Sequence, residues 1–395
     1  MRCAGCLWIV FSGAAEKNDG ARMKVLHVLY KLMPSGAEKM LADAATLFRE
    51  NGVEGWILAN DDEEGSYADV LKSCGYHVVQ IPWSQNRRHL IDFFFFCRRE
   101  KIDVVHIHVI RGYLGFAIAA RLAGVKVVVK TFHGNFIARD KIRWVWHVVI
   151  RGMAKVAGVR MVAISRSVQD NERETFKNKC QLVWNFSDES KFPIADKNVG
   201  YAMRETLGVD VDSFVLLSVG NCHSESHCKI KNHQLILHAI SLLPDDIRKK
   251  VVYLHVGSEM DGFPERKLAE NLGIETRVRF LGMRCDIWKL LCAADVYVMS
   301  SLQEGLGNST IEAAFSGREM ILTKVKGLVD FQTVIPFGLS YCDLTPESMA
   351  SVITDKFKAK NDLEGNMDIR ESALKTFALS SGVNRLVSLY NGEGG

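Results

Sequence analysis

Apolar, strand-like runs alternate with helix-like segments along most of this chain, and this alternation constrains its fold more than any other feature. Residues 24–29 form the first apolar run, and helical periodicity follows at about residues 37–49. The alternation continues to about residue 184 and restarts at residue 214. Apolar strands separated by helices are typical of parallel sheets that helices cover on both faces. The sequence therefore predicts an α/β protein built from doubly wound sheets.

Two domains are expected from the length, since 395 residues exceed one typical domain core. Periodicity lapses near residues 187–199, where Asp, Lys, Asn and Pro cluster, which favours a linker there. Residues 1–22 are expected to be disordered, or to lie upstream of a true start at Met23. The remaining divisions predicted are a first Rossmann-like domain (23–195), a second Rossmann-like domain (196–375), and a C-terminal helix and tail that cross back to the first (376–395).

The composition narrows the class of protein. Apolar residues make up 48% of the chain and charged residues 24%, as in soluble globular proteins. A formal net charge of +4 does not call for a nucleic-acid partner. Ten cysteines in a chain of this length favour a reduced, cytoplasmic protein. The sequence contains no run of eighteen apolar residues, so a transmembrane helix is not expected.

The segment 300–317 carries the clearest chemical signal. It places Glu304 in a loop after an expected strand and Glu312 about one turn into the helix that follows. Gly305 and Gly307 allow close approach of the backbone to a ligand. The polar residues 308–310 are good N-cap residues, and a helix N-terminus attracts phosphate. A carboxylate at Glu312 can accept hydrogen bonds from a ribose diol, and Glu304 can accept from sugar hydroxyls.

This segment resembles the E-x7-E signature of glycosyltransferase family 4, whose members are retaining enzymes with the GT-B fold of two facing Rossmann-like domains. The likeness extends over nearly the whole chain from Met23 and is similar in character to transferases of capsular or exopolysaccharide assembly. Its further landmarks are the first strand and its glycine-containing loop (23–41), D-V-V-H-I-H (103–108), K-T-F-H-G-N-F (130–136), A-I-S-R-S-V (163–168), S-V-G with K-N-H (218–220, 231–233), and the approach to E-x7-E (280–301).

The resemblance implies a role for each matching residue. The first domain would bind the acceptor and the second the nucleotide sugar. Lys231 would neutralise the donor diphosphate, Glu304 would hold the transferred sugar, and His133 would contact that sugar. The donor-binding residues that it implies are Glu312, Gly305, Leu306, Gly307, Asn308, Ser309, Gly36, Gly220, Asn221, Met283 and Arg284. No metal and no other cofactor is expected, because Lys231 and a helix N-terminus would take the place of a cation.

The expected reaction is a retaining transfer to a glycan or lipid-linked acceptor. Because the matching motifs contain no carboxylate placed as a nucleophile, a front-face attack is favoured, with the leaving diphosphate accepting the acceptor's proton. At two places the sequence departs from the family pattern in ways that bear on donor and acceptor binding. Asn221 stands where the family usually has an arginine, so that Lys229 or His223 would have to supply the second charge. Asn185-Phe186 replaces an Asn-Gly on the acceptor side.

Other functions fit parts of the pattern. A non-hydrolysing nucleotide-sugar epimerase shares the fold and would act without an acceptor. A degenerate, donor-binding pseudoenzyme would fit the loss of arginine at position 221. A dinucleotide-dependent dehydrogenase is disfavoured, because residues 32–36 lack G-x-G-x-x-G.

Several clusters of metal-ligand residue types favour other interpretations. Cys222, His223, His227 and Cys228 share one short loop whose spacing matches no common zinc finger. His106 and His108 form an H-x-H at a strand end, for which a structural or sugar-contact role is preferred. Asp210-Val211-Asp212 precedes a strand and is interpreted as a turn. Cys3 and Cys6 form a C-x-x-C outside any strand–helix context, so a redox motif is not expected.

Two basic, aromatic segments suggest docking on an anionic membrane. Residues 139–160 hold six basic residues and one acidic residue, with Trp144 and Trp146 among apolar neighbours. Arg87, Arg88, Arg98 and Arg99 flank the phenylalanines at 93–96. Such a face can bind anionic lipid, although the aromatic residues would instead pack inward if they belong to the core. The predicted location is therefore cytoplasmic, on the inner face of the membrane.

Overall fold

A computed structural model describes residues 22–83, 88–138, 140–222, 230–259, 262–360 and 363–393. Arg87, Arg139, Cys3, Cys6 and the positions 223–229, named above for their chemistry, lie outside these residues. Two parallel sheets with helices between their strands form the framework, which confirms the predicted α/β class with doubly wound sheets.

The first lobe is built on a seven-stranded parallel sheet in the order β3-β2-β1-β4-β5-β6-β7. Its strands are β1 (Met23–Leu29), β2 (Val53–Ala59), β3 (His77–Gln80), β4 (Val104–Ile107), β5 (Val127–Phe132), β6 (Arg160–Ala163) and β7 (Gln181–Leu182). Its helices are α1 (Gly36–Glu50), α2 (Ala68–Ser73), α3 (Arg88–Glu100), α4 (Tyr113–Leu122), α5 (Lys141–Val156) and α6 (Arg166–Phe176). The strand order reverses between β1 and β4, so the loops after these strands border a crevice.

The second lobe repeats this plan with six strands in the order β10-β9-β8-β11-β12-β13. Its strands are β8 (Phe214–Val219), β9 (Val251–Val256), β10 (Val278–Phe280), β11 (Val296–Met299), β12 (Glu319–Thr323) and β13 (Leu339–Cys342). Its helices are α7 (Lys197–Thr206), α8 (His233–Ser241), α9 (Asp245–Arg248), α10 (Pro264–Asn271), α11 (Ile287–Ala293), α12 (Asn308–Phe315), α13 (Pro346–Lys358) and α14 (Met367–Phe377). Here the order reverses between β8 and β11, which places residues 220–222 after β8 beside the loop 300–307 after β11.

A last helix, α15 (Leu379–Tyr390), leaves the second lobe and packs against α1 of the first. The hydroxyl of Tyr390 lies 2.6 Å from Nδ1 of His106, and Arg160 donates a hydrogen bond to the carbonyl of Leu389. A parallel bridge between Ser187 and Ala378 sets the two chain crossings next to each other. The lobes are therefore joined by two adjacent segments.

The structure differs from the sequence expectations at several elements. The linker expected at 187–199 includes a 3-10 turn, Glu189–Lys191, and its last three residues belong to α7, which packs on α11 of the second lobe. The helix α6 is mostly polar, with Val168 and Phe176 as its buried apolar residues, and the strands β12 and β13 are only five and four residues long. Across the described residues, no helix has the length and apolar character needed to cross a membrane.

Candidate functional site

The loop at 300–307 runs from β11 to α12 and touches the first lobe backbone to backbone. A Cβ atom added to Gly305 would lie 2.1 Å from the carbonyl oxygen of His133, so only glycine fits there. Ser165 donates a hydrogen bond of 2.7 Å to the carbonyl of Gly305, and Asn135 donates one of 3.0 Å to the carbonyl of Glu304. The two lobes thus meet at the residues expected to bind the sugar.

A second contact between the lobes lies at the start of α12. The side-chain amide of Asn185 donates a 3.0 Å hydrogen bond to Oδ1 of Asn308. A Cβ atom on Gly36 would lie 3.1 Å from the side-chain amide nitrogen of Asn308, so the loop after β1 passes close to the start of α12. Gly36 and Asn308, predicted from separate motifs, are therefore neighbours.

Glu304, in the loop after β11, and Lys231, just before α8, form an ion pair. Nζ of Lys231 lies 2.6 Å from Oε1 of Glu304, which also accepts a 2.8 Å hydrogen bond from Ser301. The hydroxyl of Ser300 donates to the backbone carbonyl of Lys231, and the amide of Leu302 donates to Ile230. Residues 230–231 and the E-x7-E loop are thereby held together, and the lysine ammonium faces the carboxylate of Glu304.

Glu312 lies on α12, where burial raises the pKa of its carboxyl to about 7. Lys39, Lys191 and Lys231 oppose this shift, while Asp43 adds to it. Asp43 itself pairs with Lys191 at 2.5 Å. The first half of α1 therefore faces the helix that carries Glu312, and it brings charges that the E-x7-E motif alone does not predict.

The N-terminus of α12 differs from the expectation that polar residues cap it. The N-cap is Gly307, with φ of +85°, and no side chain caps the helix, which begins at Asn308. Ser309 is engaged elsewhere, since Tyr297 donates to its hydroxyl and it donates to the carbonyl of Val219. The side chain of Leu306 is buried in the core. This residue can therefore contact a donor only through its backbone.

The glycine-containing loop after β8 is fixed by its neighbours. The carbonyl of Gly220 accepts a 2.9 Å hydrogen bond from Nε2 of His255, and a Cβ atom on Gly257 would lie 2.1 Å from that carbonyl. The side chain of Asn221 accepts a 2.9 Å hydrogen bond from the amide of Ser258. Asn221 therefore holds the loop after β9 by this hydrogen bond, and it supplies no positive charge. Lys229 and His223, the alternatives for that charge, lie outside the described residues.

Met283 and Arg284 follow β10 in a turn at the edge of the second sheet. The Met283 side chain is 59% exposed. Arg284 makes a bidentate ion pair with Asp286, at 2.8 and 2.6 Å, and this pair lowers the pKa of the Asp286 carboxyl. The amide of Gly257 donates to the carbonyl of Gly282, which joins this turn to the loop after β9.

His133 stands at the end of a chain of three hydrogen-bonded imidazoles. Its Nε2 lies 2.9 Å from Nδ1 of His108, and Nε2 of His108 lies 3.2 Å from Nδ1 of His27. Burial lowers the pKa of His133 to about 3 and that of His27 to about 3, so all are neutral near pH 7. The buried ammonium of Lys130 lowers the pKa of His133 further. His133 is thus a fixed, neutral hydrogen-bonding group.

Two groups of buried side chains in the described residues have ligand atoms within 4.8 Å of one another. One is His27, His106 and His108, so the structure adds His27 to the H-x-H pair; the other is Cys222, His233 and His255. Hydrogen bonds already engage both ring nitrogens of His106, with Tyr390 and Thr131, and both of His108.

The D-x-D at residues 210–212 forms a local contact: the Asp210 carboxylate accepts a hydrogen bond from the backbone amide of Asp212, as in the turn predicted there.

Sequence reasoning does not identify the residues that join the lobes. Asn135, Ser165 and Lys39 lie within recognised motifs, yet nothing in those motifs says what they touch. Each partner is more than a hundred residues away along the chain, and only the folded arrangement of the two sheets brings them together. The available signal is a polar residue within three positions of a buried strand, which holds for Asn135 after β5 and Ser165 after β6 but not for Lys39, which lies in α1.

Two family models match the chain. Residues 34–191 match the model described as Glycosyltransferase Family 4, and residues 213–354 match the one described as Glycosyl transferases group 1. EpsD of Bacillus subtilis, assigned as a glycosyltransferase, is 31% identical over 294 residues, covering 71% of this chain and 74% of EpsD. An Escherichia coli enzyme named UDP-Gal:alpha-D-GlcNAc-diphosphoundecaprenol alpha-1,3-galactosyltransferase is 26% identical over 328 residues, covering 79% and 82%.

A solved structure has the same architecture. The crystal structure of Anabaena HepE in complex with UDP superposes with a TM-score of 0.79 at 18% identity, covering 94% of this chain and all of HepE. This likeness concerns the fold alone, and it confirms the expected GT-B arrangement of two facing lobes.

Proposed function

We propose, from the premise that this chain belongs to the family 4 glycosyltransferases of the GT-B fold, that it moves a sugar from a nucleoside-diphosphate sugar to a glycan or lipid-linked acceptor in cell-surface polysaccharide biosynthesis. The observation that carries the proposal is the Lys231–Glu304 ion pair at the reversal of the second sheet, next to the N-terminus of α12. HepE, which shares the fold, was crystallised in complex with UDP. This supports a nucleotide sugar as the donor proposed here.

The donor would lie across the loops after β8 and β11. Lys231 would exchange Glu304 for the diphosphate, which frees the carboxylate to accept from sugar hydroxyls. The N-terminus of α12 would add backbone N–H groups and a partial positive charge. Glu312, further along that helix, would accept from the ribose diol.

The transfer would retain configuration at the anomeric carbon. The bond from that carbon to the diphosphate oxygen breaks, a bond to the acceptor oxygen forms on the same face, and the acceptor's proton passes to the leaving diphosphate. Stabilising the charge that develops on the diphosphate then supplies most of the catalysis. Lys231 and the helix N-terminus would do this without a metal ion.

Glu312 gives the test of this function at the donor. Since only the ionised carboxylate accepts from both ribose hydroxyls, we expect UDP binding to weaken as the pH falls from about 8 to about 6, across the raised pKa of about 7. Glu312→Gln should weaken binding at both pH values and remove the part of the pH dependence that belongs to this group. Thermal shift with a panel of nucleoside diphosphates and their sugars measures both.

The same variant has an opposite effect on the empty protein. A carboxyl whose pKa is raised from 4.5 to about 7 by folding makes the free energy of unfolding fall as the pH rises between these values. Ligand-free Glu312→Gln should therefore melt at a higher temperature than wild type at pH 8, although it binds UDP less well.

Product analysis completes the test of the proposed function. Released diphosphate with a new glycoside means transfer, an isomerised donor means an epimerase, and binding alone means a pseudoenzyme.

The acceptor side of the proposal rests on α5 of the first lobe. This helix turns its apolar residues outward: Ile142, Trp146 and Val156 are 84%, 62% and 91% exposed. With Val145, Val149 and Met153, they follow a spacing of three, four or seven residues and so lie along one face. Arg151 points inward instead, to a buried ion pair with Glu172 at 2.6 Å.

The surroundings of α5 suit an anionic bilayer. Lys141, Arg143 and Lys155 are exposed on this helix. Neighbouring α4 adds the exposed Leu122, while on α3 only part of the phenylalanine run is exposed, because Phe93 is buried and Phe95 is open to solvent. Apolar side chains with flanking basic residues bind anionic lipid surfaces. We therefore place the enzyme at the cytoplasmic face of a membrane, facing a lipid-linked acceptor of the kind named for the Escherichia coli relative.

Vesicle binding checks this placement. Wild type should sediment with vesicles of phosphatidylglycerol and phosphatidylcholine, and Ile142→Ser with Trp146→Ser should lower the partition coefficient about ten-fold or more, since each buried apolar side chain contributes about 1.5–3 kcal/mol. Lys141→Glu with Lys155→Glu should weaken binding to the anionic vesicles alone.

The matched control is Phe337→Ser with Met367→Ser, which removes two exposed apolar residues from the second lobe. This control should bind vesicles as wild type does. Equal sedimentation of the α5 variant and wild type, or no binding by wild type, would refute the placement.

A further inference from the structure

A cavity of about 460 Å³ lies in the first lobe, lined by Tyr30, Asn60, Asp61, Asp62, Trp83 and Arg111. Tyr30 follows β1 and Asn60 follows β2, where its amide donates to the carbonyl of Leu29. Trp83 comes after β3, and Arg111 lies in the loop after β4. The cavity therefore opens at the carboxyl ends of four neighbouring strands. Its volume falls in the range of about 300–1,000 Å³ that is typical of small-molecule sites.

Two aromatic rings are held open in this cavity. Trp83 is 41% exposed, and the centre of its ring lies 4.6 Å from that of His89, with the two ring planes tilted by 39°. A Cβ atom on Gly112, whose φ is +72°, would lie 2.6 Å from the indole, so glycine allows the ring to lie against the backbone. Tyr30 is 40% exposed, and its hydroxyl accepts a 2.8 Å hydrogen bond from the amide of Arg111. Both rings are therefore partly exposed to solvent at the cavity.

One polar side chain of the cavity, Asn60, has no hydrogen-bond partner among the described residues. Both polar atoms of the Asn60 side-chain amide are buried without a hydrogen-bond partner among the described residues. A buried amide left unpaired is costly, and a ligand hydroxyl can serve it as donor and as acceptor. The nearby acidic residues Glu63 and Glu64 are paired with Lys31 and Lys72. Asp61 and Asp62 take no part in these two pairs and line the cavity, and Oδ1 of Asp61 accepts a hydrogen bond from the backbone amide of Glu63.

We infer that this cavity is a subsite for a sugar residue of the acceptor, distinct from the position where the reacting sugar lies. Open aromatic rings with amide and carboxylate groups suit the C–H face and the hydroxyls of a pyranose. Two carboxylates beside one arginine disfavour a phosphate, so the occupant is a neutral sugar rather than the diphosphate of a lipid carrier. The inference rests on the proposed function, because it supposes an acceptor glycan.

The position of the cavity in the sheet sets which sugar it holds. Asn60 follows β2 and His133 follows β5, and β1 and β4 lie between these strands in the sheet. Three strand spacings amount to roughly 14 Å. This exceeds one pyranose ring, so the subsite holds a sugar one or two residues away from the reacting hydroxyl. Acceptors of two or more sugars should therefore be preferred to a monosaccharide.

Saturation-transfer NMR with maltotriose, lactose and chitotriose tests the subsite on the full chain. At least one of the three should receive saturation from wild type, and Trp83→Ala should weaken its binding about ten-fold, with Trp83→Phe between the two. Asn60→Leu should raise the melting temperature of the empty protein, because it removes the unpaired amide, and yet weaken saccharide binding. A merely structural role for Asn60 would not separate these two effects.

UDP thermal shift on the same samples distinguishes the two proposals. If UDP stabilises wild type and no saccharide binds at millimolar concentration, the subsite is refuted and the proposed function stands. If neither UDP nor any nucleotide sugar binds, the proposed function itself fails. Equal saccharide binding by wild type, Trp83→Ala and Asn60→Leu would also overturn the subsite. Phe337→Ala, which removes an exposed aromatic ring from the other lobe, should bind saccharide as wild type does.

Discussion

Replacing Lys231 with alanine should reduce sugar transfer by about 10²–10³-fold in kcat, the usual cost of losing one preorganised group that stabilises developing charge. Its ammonium lies 2.6 Å from Glu304 in the empty site. Asn221, at the position of the expected second cation, instead accepts from Ser258. Lys231 would therefore be the sole cation that the described residues of this segment offer to the proposed donor, and its loss should be severe.

Transfer assays with Lys231→Ala and Lys249→Ala make the comparison. Lys249 is an exposed lysine at the end of α9, remote from the loops of the site, and its replacement should leave turnover unchanged. Lys231→Arg should recover only part of the activity, because a planar guanidinium does not reproduce a compact ammonium. Near wild-type turnover in Lys231→Ala would remove this residue from the catalytic machinery.

Replacing Gly305 with alanine should also cost about 10²-fold or more in turnover, for a steric reason. The added Cβ would lie 2.1 Å from the carbonyl oxygen of His133 and 3.0 Å from Ile164. Since the first of these atoms belongs to the backbone, no side-chain rotation relieves the clash, and the lobes must move apart. A displacement of about 1 Å between reacting groups can cost this much in rate.

The expected signature of Gly305→Ala is separation of the lobes without unfolding. Small-angle scattering should give a larger radius of gyration than for wild type, while circular dichroism stays the same. Gly152→Ala is the control, because a Cβ atom there would meet nothing within 4 Å and alanine favours a helix. Wild-type turnover and dimensions in Gly305→Ala would mean that the lobes do not need this contact.

Much of the framework follows from local sequence. The apolar runs predict most strands of both sheets, because a buried parallel strand has no polar alternative. The E-x7-E segment likewise predicts a loop and a helix after a strand, and the structure has β11 followed by α12 there. What local patterns cannot supply is contact between residues far apart. His27 joins His108 from 81 residues away, and Asn135 reaches Glu304 from 169 residues away.

The helix α5 illustrates a different limit. Its periodicity predicts one apolar face, but periodicity does not say whether that face points toward the sheet or away from it. The buried pair of Arg151 with Glu172 turns the helix so that Ile142 and Trp146 face outward. The N-cap of α12 could not be predicted from local sequence either. Gly307 is the N-cap, in a left-handed conformation, so the helix already begins at Asn308 and the polar residues 308–310 lie inside it.

The return of α15 to the first lobe bears on how this chain is made. Phe186 packs against Gly382 so closely that a Cβ atom there would lie 1.9 Å from its ring, and Tyr390 lies under His106. Strand β7 ends at residue 182 and α15 begins at residue 379. At about 5–20 residues per second, the ribosome needs roughly 10–40 s to synthesise the intervening residues. The first lobe emerges first, but it must wait with part of its apolar core uncovered until the second has been made.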